Sequence, residues 1–190
     1  MSKSNSLEEI IAALQNDGVV AVPTETVFGL AVKLGSKPAL ERLIKIKDRG
    51  INSGKVFTLV PAKKADFGQY ADITNAEDLI EKYVPGEITL ILPKQKTFKN
   101  EYFDHFDEIG LRIPDFPIFK QILESVGPIL LTSANRRDQP TLASADEIEQ
   151  EFGDELDLVL NMEPGHHLAS TIVKIDANGR KVVRQGEIKL

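Results

Sequence analysis

The chain has 190 residues, and its 23 basic and 29 acidic side chains give a formal net charge of −6. Its composition, 42% hydrophobic and 27% charged, is typical of a globular protein, and the length predicts one domain over residues 1–190. With no cysteine, the chain excludes disulfide scaffolds, cysteine–zinc sites and cysteine nucleophiles. The polar start and the lack of a long apolar run predict a frayed N-terminus and a cytoplasmic, non-membrane protein. The negative charge argues against a surface that coats nucleic acid.

Apolar residues recur at helical spacing in five segments, three of which follow a capping pair of the form Ser/Thr-x-x-Glu. The predicted helices begin at Leu7, Pro38, Thr74, Pro117 and Ser144. Short apolar runs predict strands at 19–22, 56–60, 88–92, 109–113, 129–131, 156–160, 171–175 and 181–184. The stretches 94–108 and 132–141 are predicted loops, and Asn178-Gly179 predicts a hairpin turn. Strands that alternate with helices indicate an α/β fold, with some antiparallel pairing near the C-terminus.

Small polar side chains lie at the ends of several predicted strands. Thr24 and Thr26 follow the first strand, and Ser133 and Asn135 follow the strand 129–131. Ser170 directly precedes a late strand. Each group is explained either by turn capping or by ligand binding. Ligands of open α/β sheets bind in a crevice at strand ends, so these residues are candidates for one site.

Four cations belong to the same set of segments. Lys47 and Arg49 follow the helix from Pro38, where basic groups are either partners of the helix dipole or anion ligands. Arg112 interrupts an apolar strand and therefore requires either a carboxylate partner or an anionic ligand. Arg184 ends the last strand. Together the cations and the hydroxyl groups indicate an anionic small molecule, such as a nucleotide bound with a carboxylate.

Metal chemistry and a carboxylate pair receive no support from the sequence. The three histidines, His105, His166 and His167, lack the spacing of a metal site, so we predict no protein-bound metal. Glu25 and Asp48 lie near the candidate residues, but no spacing marks an acid/base pair.

Seven short segments, spread over residues 7–188, resemble the YrdC/TsaC family of threonylcarbamoyl-AMP synthases. They are Pro23–Leu30, Lys47-x-Arg49, Pro85-Gly86-x-x-Thr89-Leu90, Leu111–Pro114, Ser133–Asn135, Ser170–Val173 and Val183–Gly186. The resemblance implies an α/β fold in which a twisted mixed β-sheet, flanked by helices, surrounds a large concave, positively charged cavity.

The resemblance also implies a reaction. L-Threonine, bicarbonate and ATP would give L-threonylcarbamoyladenylate and pyrophosphate, a nucleotidyl transfer. A threonylcarbamoyltransferase complex would then move the threonylcarbamoyl group to adenosine 37 of tRNA. Mg²⁺ would arrive with ATP and not in a protein cage.

Site residues carry over from the family at matching positions. Thr26, Arg112 and Ser170 would bind L-threonine. The nucleotide side would be lined by Lys47, Arg49, Ser53, Ser133, Asn135, Thr141 and Arg184. Of these, Lys47 and Arg49 would also be the catalytic residues.

The sequence departs from the family pattern in four places, which we expect on the nucleotide side. They are Gly50, Ser53-Gly54-Lys55, Glu87 in place of a common proline, and Arg137-Asp138 in place of Ser-Gly. Two other functions stay open. A basic stretch over residues 42–64 would suit a module that binds double-stranded RNA or tRNA. A diverged paralogue would hold a nucleotide without turnover.

Overall fold

A computed structural model describes residues 2–48, 56–166 and 168–190, and its centre is one mixed β-sheet. Within these ranges the strands are β1 Ser2–Ser4, β2 Val20–Val22, β3 Gly29–Lys33, β4 Thr58–Val60, β5 Ile88–Pro93, β6 Glu108–Leu111, β7 Ile129–Ser133, β8 Leu158–Leu160, β9 Thr171–Asp176 and β10 Gly179–Arg184. They are ordered β1-β8-β2-β3-β7-β4-β6-β5-β9-β10. The α/β fold with a large mixed sheet is therefore confirmed.

The sheet combines parallel and antiparallel pairs. β3 is antiparallel to both β2 and β7, and β7 is antiparallel to β4. β4 is parallel to β6, β6 is antiparallel to β5, and β5 is parallel to β9. This order brings strands that are distant in sequence side by side, so that segments from residue 20 to residue 184 contribute to one surface.

Six α-helices lie in the described residues. They are α1 Leu7–Gln15, α2 Lys37–Ile46, α3 Phe67–Tyr70, α4 Glu77–Tyr83, α5 Pro117–Val126 and α6 Ala145–Phe152. Hydroxyl groups of Ser6, Ser36 and Ser144 accept the first free backbone N–H groups of α1, α2 and α6. Pro117 stands at the start of α5, where its missing N–H leaves no donor unpaired. None of the described helices has the length and apolar character needed to span a bilayer.

Helix α5 shows how the apolar pattern becomes the core. The predicted stripe of Ile118, Phe119, Ile122, Leu123 and Val126 is buried in full. Burial of each such side chain stabilises the fold by about 1.5–3 kcal/mol. The helix contacts α1, whose Ile10 and Leu14 are also fully buried, so this pair covers one face of the sheet.

Two predictions were wrong, one about the N-terminus of the chain and one about the start of a helix. The N-terminus is not frayed, because β1 pairs in parallel with β8 and the Ser4 hydroxyl donates to Glu9 at 2.5 Å. Thr74 does not cap a helix. Its hydroxyl and backbone N–H both donate to Asp72, and α4 begins only at Glu77. The side chain of Asp72 therefore competes with the helix for the residues that the capping pair would use.

Strand β3 was missed, because residues 23–30 read as a turn. The segment from Gly29 to Val32 is in fact fully buried between β2 and β7. The glycine allows close packing there, since a Cβ at Gly29 would lie 2.6 Å from Cδ1 of Leu131 and the leucine side chain would have to move. The C-terminal hairpin of β9 and β10 is confirmed, but only Gly179 of its turn has positive φ, at 119°. Asn178 instead donates its backbone N–H to Asp176.

Candidate active site

A cavity of about 480 Å³ opens on the sheet, and its wall collects residues that are far apart in the chain. Strands β4, β5, β6, β7, β9 and β10 all contribute to it, together with the turn after β2. The polar lining side chains are Thr24, Thr58, Thr89, Glu108, Arg112, Thr132, Ser133, Ser170 and Arg184. A concave cavity is therefore present, and it lies where the strand-end residues meet.

The turn between β2 and β3 is organised by hydroxyl groups. The Thr24 hydroxyl accepts the backbone N–H groups of Thr26 and Val27 at 3.0 and 3.1 Å, and it donates to the Val27 carbonyl at 2.7 Å. The Thr26 hydroxyl lies 2.8 Å from that of Thr24. Since Thr24 has used its proton, Thr26 is the donor of this last bond. Thr24 therefore both caps the turn and forms part of the cavity wall.

Arg112 is buried and has a carboxylate partner. Its Nη2 lies 3.0 Å from Glu25 Oε1 and 3.0 Å from the Thr26 hydroxyl, and its Nε donates to the Gly86 carbonyl at 3.2 Å. The two charged side chains are only 8% and 12% exposed. Of the two alternatives predicted for Arg112, a carboxylate partner or an anionic ligand, the carboxylate partner is present. Arg112 also lines the cavity.

A second guanidinium group lies across from Arg112. Arg184 donates to the Ser170 carbonyl at 3.0 Å and to its hydroxyl at 3.2 Å, and that hydroxyl lies 3.0 Å from the hydroxyl of Thr89. Burial lowers the pKa of Arg184, and the nearby positive charge of Arg112 lowers it further. Two neighbouring cations in the lining of one cavity, Arg112 buried and Arg184 partly exposed, favour the binding of an anion there.

Lys47 is buried at a different part of the wall, with 1% of its surface exposed. Its ammonium group donates to the Ser133 carbonyl at 2.9 Å and to the backbone and side-chain oxygens of Asn135 at 2.5 and 2.8 Å. The Ser133 hydroxyl also donates to the Asn135 side chain, at 2.7 Å. Lys47 therefore fixes the loop after β7 to the end of α2.

The structure brings the predicted residues together in two groups. Arg112 and Ser170 line the cavity, and the fully buried Thr26 lies behind this lining, where its hydroxyl accepts from Arg112. Arg184, predicted on the nucleotide side, contacts Ser170 at the same end. Lys47, Ser133 and Asn135 form the other group. Thr141 precedes Leu142, whose N–H donates to the Ala134 carbonyl of the same loop. Arg49 and Ser53 lie outside the described residues.

The roles of two carboxylates near the site were not predicted. Glu25 receives the guanidinium of Arg112, and the requirement of Arg112 for a partner was a signal that could have found it. Glu108 lines the cavity and forms an ion pair with Lys174 at 2.5 Å, and nothing in its sequence position points to this. Glu87, which we expected on the nucleotide side, lies next to the segment that contacts Arg112. It follows Gly86, and its carbonyl accepts the N–H of Thr171.

Neither a metal centre nor a continuous basic face is built from the described side chains. No group of three or more histidine or carboxylate side chains within these ranges is placed to hold a metal ion. In the basic stretch, Lys47 is buried, Arg42 pairs with Asp157 at 2.8 Å and Lys64 pairs with Glu81 at 3.0 Å. These three cations therefore contact separate partners and do not present one common basic surface.

Curated proteins with similar sequences are named threonylcarbamoyl-AMP synthase. The protein of this name from Photobacterium profundum is 30% identical over 187 residues, which cover 96% of this chain and all of that protein. The human protein of the same name is 28% identical over 192 residues, 96% of this chain and 68% of the human one.

Solved structures share the fold over nearly the whole chain. YciO of E. coli superposes with a TM-score of 0.86 and 25% identity, covering 100% of this chain and 95% of that one. Sua5 of P. abyssi, solved in complex with L-threonine, gives a TM-score of 0.84 and 23% identity, and this chain covers 56% of its length. The family profile Sua5_yciO_yrdC, described as Telomere recombination, matches residues 12–186. The chain belongs to the Sua5/YciO/YrdC family.

Proposed function

We propose that this chain is an L-threonylcarbamoyladenylate synthase that joins L-threonine, bicarbonate and ATP, with release of pyrophosphate. The observation that carries the proposal is a pair of guanidinium groups in the lining of one cavity, the buried Arg112 and the partly exposed Arg184, together with the buried ammonium group of Lys47 behind Ser133 of the same lining. Relatives that match over the whole chain bear the name of this activity. Because one sheet supplies both groups of residues, we further propose that residues 1–190 work as a single domain.

The end that contains Arg112 suits L-threonine. A guanidinium group can hold both oxygens of an α-carboxylate, and Arg184 adds a second positive charge close by. The hydroxyl groups of Thr89 and Ser170 line the cavity and can hydrogen-bond the hydroxyl or amine of the substrate. We also assign Thr26 to this end, where its buried hydroxyl positions Arg112. Glu25 keeps one nitrogen of Arg112 in place, so that the remaining N–H groups are oriented before the substrate arrives.

The group around Lys47 suits the nucleotide. We assign Lys47, Ser133, Asn135 and Thr141 to this side, with Arg49 and Ser53 on the adjoining loop outside the described residues. Lys47 acts from within the wall, because its ammonium group holds the loop of Ser133 and Asn135 and places a positive charge behind it. ATP would bring Mg²⁺ with it, and no protein carboxylate cage is required.

The chemistry needs positioning more than acid/base catalysis. The threonine amine attacks the carbon of bicarbonate, a C–N bond forms and water leaves, which gives a carbamate. A carbamate oxygen then attacks the α-phosphorus of ATP, the bond from that phosphorus to the bridging oxygen breaks, and pyrophosphate leaves. All three reactants carry negative charge, so buried cations that hold them in contact lower the barrier.

The product would be used by a threonylcarbamoyltransferase complex acting on adenosine 37 of tRNA. This role places the enzyme in the cytoplasm, where tRNA and ATP are both available. The RNA-binding alternative receives less support, because Lys47 is buried and Arg42 and Lys64 pair with carboxylates, which leaves Lys45 and Lys63 as the exposed cations of the described part of the basic stretch.

An omission experiment tests the proposal. Purified protein with ATP and Mg²⁺ should release pyrophosphate only when L-threonine and bicarbonate are both added. Serine and valine, which each lack one feature of the threonine side chain, serve as matched controls. Pyrophosphate release that does not depend on threonine would reject the proposed reaction, and nucleotide binding without turnover would identify a diverged paralogue.

A further inference from the structure

The segment between β8 and β9 crosses the threonine end of the cavity. We call residues 162–166 and 168–169 the strap. Its Gly165 N–H donates to the Thr24 carbonyl at 2.9 Å, and its His166 N–H donates to the Glu25 carbonyl at 3.1 Å. A Cβ at Gly165 would lie 2.3 Å from the Glu25 carbonyl oxygen, so the two backbones are in close contact. The strap therefore runs directly along the turn that contains Thr26.

The side chain of His166 joins the strap to the start of β5. Its Nε2 lies 3.0 Å from Oε1 of Glu87, while its Nδ1 accepts the N–H of Leu168 at 3.1 Å. Because Nδ1 is an acceptor, the hydrogen-bond network assigns the proton of the neutral ring to Nε2, which faces the Glu87 carboxylate. The contact is therefore one between the Nε2–H of a neutral ring and a charged carboxylate, at hydrogen-bond distance but without good hydrogen-bond alignment.

Glu87 lies between the segments that carry two other residues of this end. The carbonyl of the preceding Gly86 accepts Nε of Arg112 at 3.2 Å, and the carbonyl of Glu87 itself accepts the Thr171 N–H at 2.9 Å. Thr171 directly follows Ser170, the partner of Arg184. The contact between His166 and Glu87 thus ties together the three segments that bear Thr26, Arg112 and Ser170.

The Glu87 carboxylate is not there for packing alone. Its Oε2 is buried without a hydrogen-bond partner in the described part of the chain, which costs free energy. The proline common at this position in the YrdC/TsaC pattern has no group that could reach a histidine. This chain therefore carries a charged contact that the general pattern does not require, at the end of the cavity where the amino acid would bind.

We propose that Glu87 and His166 form a positioning pair that sets the affinity for L-threonine by fixing the strap against the turn of Thr26 and the start of β9. The proposal rests on the proposed function. The pair touches neither the group around Lys47 nor the reacting atoms, so it should act on threonine binding and not on ATP binding or on the chemical step.

The test compares Glu87→Ala, His166→Ala and the double variant with Glu87→Gln, which keeps the size and an oxygen that can accept from Nε2. Loss of the pair should raise the KM for threonine about fivefold to tenfold, because one contact with a charged group is lost. The KM for ATP and kcat should change less than about twofold. Glu87→Gln should restore most of the affinity, and the double variant should be no worse than the more affected single variant. Glu124→Ala and His105→Ala, both exposed and remote, are the controls.

Additive effects of the two alanine variants, or an equal rise in the KM for ATP, would overturn the pairing. Hydrogen exchange of the strap amides provides a second measurement, and faster exchange in both alanine variants at unchanged melting temperature is expected. If the wild-type protein shows no turnover, threonine dissociation constants from calorimetry replace KM. The same pattern then supports the pair even though the proposed reaction fails. Unchanged threonine affinity in an active protein would reject the pair alone.

Discussion

Arg112 and Glu25 form an ion pair of 3.0 Å that is almost closed to solvent, with the two side chains 8% and 12% exposed. The pair is held at both ends. Glu25 Oε1 also accepts the backbone N–H of Asp115 at 3.0 Å, and Arg112 donates to Thr26 and to the Gly86 carbonyl. A buried charge left alone is strongly unfavourable, so each residue depends on the other for the stability of the fold.

Replacement of Arg112 by alanine should damage both binding and stability. Loss of charged hydrogen bonds to the threonine carboxylate removes about 1.5–3 kcal/mol, or a rise in KM of roughly 10- to 100-fold. The buried carboxylate of Glu25 loses its partner, which costs about 3–5 kcal/mol of folding free energy. Threonine titration and urea unfolding measure the two effects separately.

The double variant Glu25→Gln/Arg112→Met separates these effects. It removes both charges and keeps similar volumes, so we expect it to recover at least about half of the stability lost in Arg112→Ala. Threonine binding should stay as weak as in the single variant. Recovery of threonine affinity together with stability would show that Arg112 acts only through the fold.

Lys47→Met should abolish turnover while threonine still binds. The substitution leaves the Ser133 carbonyl and the oxygens of Asn135 without the ammonium donor, at a cost of about 1–3 kcal/mol. The loop after β7 then loses its position and its positive charge, so pyrophosphate release should fall to background. Lys45→Met, in the exposed last turn of the same helix, is the matched control. An active Lys47→Met enzyme would contradict the assignment of this side to the nucleotide.

Gly165→Ala should weaken threonine binding through the backbone. The added Cβ would lie 2.3 Å from the Glu25 carbonyl oxygen, and backbone on both sides leaves little room to adjust, so the strap must move. We expect the threonine KM to rise by several-fold, as in the Glu87 and His166 variants. Gly68→Ala in α3 meets nothing closer than 3.8 Å, a side-chain carbon of Ile73, and should leave kinetics unchanged. Equal kinetics for the two variants would contradict this account.

The stability of the loop that contains Asn135 should depend on pH in the acid range. The hydrogen bond from Arg136 lowers the pKa of Glu155 below its usual 4.5. A lowered folded-state pKa stabilises the protein above the unfolded value, and this contribution is lost as the pH falls below about 4.5. The pair is half exposed, so its worth is less than about 1 kcal/mol. In Arg136→Gln the melting temperature should therefore be lower near neutral pH and fall less steeply on acidification. A parallel acid profile in both proteins would rule out this pair as the cause.

The sequence predicted the residues that meet in the cavity better than it predicted their contacts. Local spacing is enough for helix α5, because one stripe of five apolar side chains determines both its position and its buried face. Strand β3 was missed because its polar entry, Thr24 to Thr26, is typical of a turn. The burial that makes Gly29–Lys33 a strand comes from β2 and β7, which are distant in sequence.

The pairing of charges was the part that local patterns could not predict. Arg112 needed a partner on chemical grounds, yet the choice of Glu25, 87 positions earlier, depends on how β2 and β6 enter the sheet. The contact of Arg184 with Ser170 was not predictable either, because it depends on the irregular register of β10 against β9. Glu87 likewise lies opposite His166 only because β5 and β9 are neighbours.

We propose that one cavity brings L-threonine, bicarbonate and ATP together, so that the carbamate attacks the α-phosphorus of ATP. Detection of the product tests this proposal most directly. The enzyme is incubated with L-threonine, ATP, Mg²⁺ and ¹³C-bicarbonate, and the quenched mixture is analysed by mass spectrometry. We predict threonylcarbamoyl-AMP that carries one heavy carbon, formed in equal amount to pyrophosphate and absent from Lys47→Met. Pyrophosphate accompanied by AMP or by an unlabelled threonyl adduct would contradict the proposed reaction.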